Sequence, residues 1–213
     1  MKTNQQFYTP ELARKLRVNS LFLLIFMAVF TIGLVSCYQD PELDKQNENI
    51  SKKEVMITEQ DIWDAQKKWG DGIVKIGRIH SEGGNYRDTA SAFIEDNYGY
   101  SLGEVLFKPT MAYKKQFRTD FDGALSYFIG GNPNYPEDKG FAIKPWIGVR
   151  WESAGTKIMG NVALAMGNYY LTPKNGGEEV KVEYTFAYTK DDDRNMLIIM
   201  HGSHFPYKPE EMQ

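Results

Sequence analysis

Residues 181–188 read Lys181-Val182-Glu183-Tyr184-Thr185-Phe186-Ala187-Tyr188, with an apolar or aromatic side chain at every second position. A strand sends successive side chains to opposite faces. The pattern therefore predicts a β-strand with Val182, Tyr184, Phe186 and Tyr188 on a core face and Lys181, Glu183 and Thr185 on the other. Turn-forming residues bracket it, at 173–177 before and at Asp191-Asp192-Asp193-Arg194-Asn195 after. Beyond that second turn, Leu197-Ile198-Ile199-Met200 shows no alternation, which predicts a strand buried on both sides. Upstream, Met159-Gly160-Asn161-Val162 has a two-residue hairpin centre. From Trp146 onward the chain thus reads as a meander of antiparallel strands.

Before residue 103 the period changes to that of helices. Thr58-Glu59-Gln60-Asp61 supplies a cap and first-turn acids, and Ile62, Ala65, Trp69, Ile73, Ile76 and His80 follow at helical spacing. Gly70, Gly72 and Gly77 weaken this helix by up to about 1 kcal/mol each relative to alanine, predicting a kink or close packing against a strand. A second helix is expected from Asp88 to Tyr98 with Gly99 as its stop, then a short strand over 104–108 and a brief helix over 122–129. Residues 130–136 are a loop by composition. Helices first and a sheet afterwards is an α+β order, with N-terminal helices covering one face of a curved antiparallel sheet.

The chain has 213 residues, enough for one domain with a real core once a leader and linker are set aside. The leader reads as an export signal: a basic stretch ending at Arg17, an apolar run over 21–34 and a small residue at Ser36. That run is shorter than the roughly 20 residues a membrane-spanning helix needs. Leu34-Val35-Ser36-Cys37 resembles the lipobox of bacterial lipoproteins, so Cys37, the only cysteine, is expected to carry lipid and anchor the mature chain to a membrane. The expected organisation is a signal peptide over 1–36, lipidated Cys37 and a flexible acidic tether over 37–57, the domain over 58–208 and a tail over 209–213. The expected location is the cell envelope, periplasmic or surface-exposed. The leader carries Lys2, Arg14, Lys15 and Arg17 against Glu11, so removing its net +3 from the formal −3 leaves −6. That balance argues against nucleic acid as a partner.

Three stretches suggest a family: residues 163–172, residues 181–186, and His201-Gly202-Ser203-His204-Phe205-Pro206-Tyr207. They resemble the closing strands of nuclear transport factor 2-like proteins, in the branch of the SnoaL-like domains and the association domain of calcium/calmodulin-dependent protein kinase II. The resemblance spans residues 59–207 and implies a cone: a strongly bent sheet wrapped on helices, with a pocket at its wide end. Members include isomerases, cyclases, dehydratases, binders and oligomerisation modules, so the fold does not give the function. Some bacterial relatives are called phosphoribosyl-AMP cyclohydrolases. That name implies a zinc enzyme with several cysteine ligands, which one cysteine does not supply.

His201 matches the first histidine of a His-His-Ser-Ser pattern on the last strand of that branch. Gly202 replaces the second histidine and His204 the last serine. A neutral imidazole there would act as general base or orient a ligand carboxylate; the commoner role is a hydrogen-bonded histidine lining the sheet. Turns centred near residues 175 and 192 place Asn168, Glu183 and His201 in one row, a credible acid/base set if the row faces inward; Lys181, Glu183 and Thr185 also read as a solvated face. Arg150 and Glu152 would bind an anion or form a surface pair. Tyr170, His204 and Tyr113 complete the candidate ligand-binding residues, with Tyr127 and Trp146 as further pocket aromatics or core. Asp120 and Asp122 read as helix caps or as paired carboxylates, and residues 191–193 as a solvated turn. No metal-ligand spacing, nucleotide loop or Ser-His-Asp signature is present, and no cofactor is expected.

Two functions are compatible with this reading. One is a membrane-anchored domain that binds a small apolar or aromatic molecule, or mediates protein interaction, with a homodimer through the sheet. The other is a small-molecule lyase, isomerase or hydrolase using His201 with Glu183 or Arg150.

Overall fold

The computed structural model describes residues 56–209. Cys37, the leader and nearly all of the tether lie outside them.

The capping box at Thr58 forms as read: the Thr58 hydroxyl accepts from the Asp61 N–H at 3.2 Å, and Asp61 accepts from the Thr58 N–H at 2.8 Å. It starts α1, Glu59–Ser81, which buries Ile62, Gln66, Trp69, Gly70, Ile73, Ile76 and Gly77. The glycines mark close packing. A Cβ on Gly77 would stand 2.5 Å from the Lys144 carbonyl oxygen, and one on Gly70 3.0 Å from Val149 Cβ.

The second helix, α2, is Tyr86–Asn97, two residues earlier than its expected start because Asn85 is the N-cap. Gly99 is not its stop. Tyr98 already leaves the helix in an extended conformation, and a 3-10 turn, Gly99–Ser101, follows. The short strand β1 is Leu106–Lys108 and the brief helix α3 is Phe121–Ile129, capped by the Asp120 carboxylate on the Gly123 N–H at 2.7 Å.

Four strands make the meander: β2 Trp146–Met159, β3 Val162–Pro173, β4 Val180–Lys190 and β5 Met196–His204. The sheet order is β1-β5-β4-β3-β2, antiparallel throughout except that β1 runs parallel to β5. The fold is the expected α+β one, a curved sheet packed on helices. Part of the bend has a visible cause. β2 shifts register between Ser153 and Gly155, opposite Gly167, where an added Cβ would stand 2.1 Å from the Glu152 carbonyl oxygen.

Val182, Tyr184, Phe186 and Tyr188 are all buried, as their period required. The strand 197–200 departs from expectation. Leu197 and Ile198 are buried, but Ile199 and Met200 are half-exposed. Between Ala187 and Tyr188 the ladder steps from Met200 to Ile198. Ile199 is therefore an extra, bulged residue, and the unalternating run records that bulge rather than two covered faces.

Candidate active site

The bulge decides where the candidate residues lie. With it, His201 pairs with Phe186, and Glu183 pairs with His204. The expected row of Asn168, Glu183 and His201 is broken by three residues on β5. Asn168 does lie beside Glu183, but Glu183 and His204 are exposed, on the sheet face opposite His201. Arg150 and Tyr170 share that outer face. The Arg150 guanidinium sits 3.9 Å from the Tyr170 ring centre and pairs with Glu152 at 2.7 Å and Glu179 at 2.9 Å. It is a surface network, and the Tyr170 hydroxyl donates to Glu152 at 2.8 Å. Tyr113 is 79% exposed and lines no interior pocket. Period-two counting across a turn misses a bulge, and each missed residue flips the face. Asp191, in the solvated turn, accepts from the Asn195 N–H at 2.7 Å.

His201 is 2% exposed. Phe107 of β1 stacks on its ring at 4.7 Å between centres, and Phe186 meets it edge-on at 4.3 Å. Its Nδ1 lies 2.9 Å from the Tyr98 hydroxyl, which accepts the Trp69 Nε1–H at 2.9 Å. Nε2 has no partner among the described residues. Burial, with a smaller push from His204, holds the imidazole pKa well below its usual value, so the ring is neutral at pH 7.

Two residues along β5, Ser203 points to the same inner side. The Thr110 hydroxyl, just past β1, donates to Ser203 Oγ at 2.8 Å. The Tyr169 hydroxyl lies beside both, and burial pushes its pKa up to about 12. The Tyr127 hydroxyl lies beside Thr110 and the Met111 backbone, and burial raises its pKa too. Ser203, Tyr127 and Tyr169 are buried and Thr110 is half-buried. Tyr127, with Met111 and residues 137–141 and 144, also lines a crevice of about 10 Å³, room for one water-sized molecule. Larger clefts of about 600 and 360 Å³ elsewhere contain none of these residues.

The arrangement is a set of uncharged hydroxyls beside a neutral histidine, walled by aromatic rings. In one Oγ pair, one hydroxyl donates to the other, which leaves the acceptor's own O–H for a third group. Such a cradle donates hydrogen bonds to oxygen atoms of a small molecule. Among the described residues no group of three or more His, Cys, Asp or Glu stands ready to hold a metal ion.

Sequence reasoning passed over Thr110, Ser203 and Tyr169, and it named Tyr127 only as a pocket aromatic. One signal was available: Ser203 is the position of the His-His-Ser-Ser pattern that remains unchanged after His201, and period two puts it on the face of His201.

Comparison with known proteins bears on this site. Residues 60–205 match a family model described as metal-independent carbonic anhydrase. The chain is 42% identical over 155 residues to a metal-independent carbonic anhydrase from Nostoc sp. (strain PCC 7120 / SAG 25.82 / UTEX 2576), covering 71% of this chain and 75% of that one. It is similar to the crystal structure of a cyanobacterial iota-carbonic anhydrase complexed with bicarbonate, with a TM-score of 0.70, 42% identity, and 72% and 94% of the two chains covered. A nuclear transport factor 2-like protein of unknown function from Pseudomonas putida KT2440 is more remote: 15% identity and a TM-score of 0.44, over 74% of this chain and 94% of that one. The expectation of a ligand-binding or interaction module is overturned, because the matched family is one of enzymes. This chain belongs to the metal-independent carbonic anhydrase family.

Proposed function

We propose that the protein catalyses the reversible hydration of carbon dioxide to bicarbonate, and that Thr110, Ser203, Tyr127, Tyr169 and His201 form the site. The observation that carries this reading is the Thr110–Ser203 hydroxyl pair, 2.8 Å apart with Tyr169 beside both. It occurs in a chain 42% identical to a carbonic anhydrase crystallised with bicarbonate.

In the forward direction the oxygen of water bonds to the carbon of CO2. One C=O pair becomes a lone pair on oxygen, and a proton leaves to solvent. Carbon dioxide is uncharged, whereas the forming bicarbonate carries a negative charge on oxygen. Donors aimed at those oxygens therefore stabilise the transition state more than the substrate. Tyr169 and Tyr127, with pKa values raised by burial, keep their protons at neutral pH and act as donors. In keeping with the family's description as metal-independent, polarisation is assigned to these hydroxyls and to the neutral His201 ring.

Stopped-flow CO2 hydration by the full-length protein, followed with a pH indicator in the presence of a chelator, tests the reading. A rate no higher than the buffer blank sinks it.

We infer further that this enzyme is exported and held at the membrane by lipid on Cys37, as a bacterial lipoprotein of the cell envelope. The support is the basic, apolar and small-residue order of residues 1–36 ending at the single cysteine. Labelled fatty acid should enter the protein in a bacterial host and be absent from Cys37→Ser. An unlabelled wild type would exclude the anchor.

A further inference from the structure

We propose that Tyr98, held in place by Trp69, fixes the tautomer of His201, so that Nε2 carries the proton and is presented as a donor to the reacting oxygens. Tyr98 and Trp69 are then positioning residues. The step from tautomer to reaction rests on the carbonic anhydrase reading above; the tautomer itself does not.

The hydrogen-bonding groups of three side chains decide the tautomer. Trp69 Nε1–H is a donor only, and it lies 2.9 Å from the Tyr98 oxygen. That oxygen lies 2.9 Å from His201 Nδ1. If Tyr98 donates to Nδ1, every group in the chain is matched except the Nε2–H. If instead Nδ1 held the proton and donated to Tyr98, the Tyr98 O–H and a bare Nε2 would both be unmatched. All three side chains are at most 2% exposed, and an unmatched buried polar group costs about 1–3 kcal/mol. The first arrangement leaves one such group and the second leaves two.

The single remaining donor is then a functional feature. A buried N–H without a protein partner is satisfied by an acceptor oxygen brought by substrate or water. His201 also lies two residues from Ser203 on the inward side of β5. The groups packed around the ring do not offer a rival base. Phe107 comes from β1, Phe186 from β4 and Trp69 from α1. The titratable groups acting on it are Tyr98 and, from its own strand, His204. Tyr98 reaches this position because it leaves α2 in an extended conformation and bridges to Ile198 of β5.

The test is nitrogen NMR of the full-length protein labelled with [15N]histidine, with His201 assigned by its loss in His201→Asn. A protonated Nε2 and a bare, hydrogen-bonded Nδ1, unchanged from pH 6 to 9, are expected. A protonated Nδ1 overturns the proposal without reference to any variant or to activity. Tyr98→Phe should give a mixture of tautomers and a fall in kcat on the order of 10- to 100-fold, the range seen when an outer partner of a functional histidine is lost. KM should change little. A fall in kcat with the ring spectrum unchanged assigns Tyr98 a purely structural role and also overturns the proposal, as does a wild-type kcat. Should Tyr98→Phe not fold, the wild-type spectrum decides alone. If the wild type hydrates no CO2, the carbonic anhydrase reading fails while the tautomer is still decided by that spectrum.

Discussion

Thr110 Oγ1 donates to Ser203 Oγ at 2.8 Å, joining the segment after β1, which runs parallel to β5, to the end of β5. The pair ties the segment after β1 to β5 at the point where the hydroxyls of the proposed site gather. Ser203→Ala should therefore lower CO2 hydration by about 10²- to 10³-fold, the loss seen when one donor to a developing oxyanion is removed. Its cost in stability should be only about 1 kcal/mol. Comparing stopped-flow rates with urea midpoints separates the two; a near-wild-type rate would remove Ser203 from the site.

The outer face provides the control. Glu183 is exposed and paired across the ladder with His204, and Arg150 is held in an exposed ion-pair network. Glu183→Ala and Arg150→Ala should leave hydration at the wild-type rate and the urea midpoint nearly unchanged. A large loss of rate in Glu183→Ala would place the chemistry on the other side of the sheet.

Two buried groups set pH limits of opposite sign. His201 has a folded-state pKa below its usual 6.5, so the unfolded chain binds its proton first as pH falls. Its contribution to stability is complete above about pH 6.5 and is lost below it, with a slope of at most about 1.4 kcal/mol per pH unit. Tyr169 rises from 10.0 to about 12, so the native state keeps its proton longer. Its contribution is present below pH 10 and is lost as pH climbs from 10 to 12. Urea midpoints across pH should show both limbs. His201→Gln should flatten the acid limb and Tyr169→Phe should soften the alkaline one.

Arg118 is fully buried and pairs with Asp138 at 2.7 Å, while the Ser126 hydroxyl donates to the other Asp138 oxygen at 2.7 Å. The guanidinium also donates to the Lys115 and Phe117 carbonyls, which fixes the end of the loop that begins at Thr110. Asp138→Ala leaves the guanidinium with only the more distant Glu137 carboxylate, at 3.8 Å, and should cost about 3–5 kcal/mol. Thermal melts would reveal a loss below about 1 kcal/mol, which would mean that solvent reaches Arg118.

Gly77→Ala tests the packing of α1. Alanine favours a helix by about 1 kcal/mol over glycine. Here its Cβ would meet the Lys144 and Ala142 carbonyl oxygens at 2.5 and 3.0 Å. Backbone cannot yield as a flexible side chain can, so the expected result is a loss of about 1–3 kcal/mol. A higher melting temperature would show that the strand entry at residues 142–144 moves freely.

Local chemistry in the sequence determined a good deal. Thr58 and Asp120 cap helices because their side chains reach backbone N–H groups within three residues. The period of residues 181–188 chose the buried face of β4, and the glycines of α1 announced close packing. These are short-range consequences of side-chain geometry, so they can be read without knowing what lies across the fold. The site depended on long-range register. One bulged residue, Ile199, together with a turn centred one residue later than expected, which alone moves the register by two, moved His201 from Glu183 to Phe186 and left Glu183 in solvent. The parallel pairing of β1 with β5 brought Thr110 to Ser203, 93 residues away. Ser203 apart, which period two sets on the face of His201, these hydroxyls carry no periodicity and no charge to mark them in a sequence, so only the tertiary structure could gather Thr110, Tyr127 and Tyr169 beside Ser203.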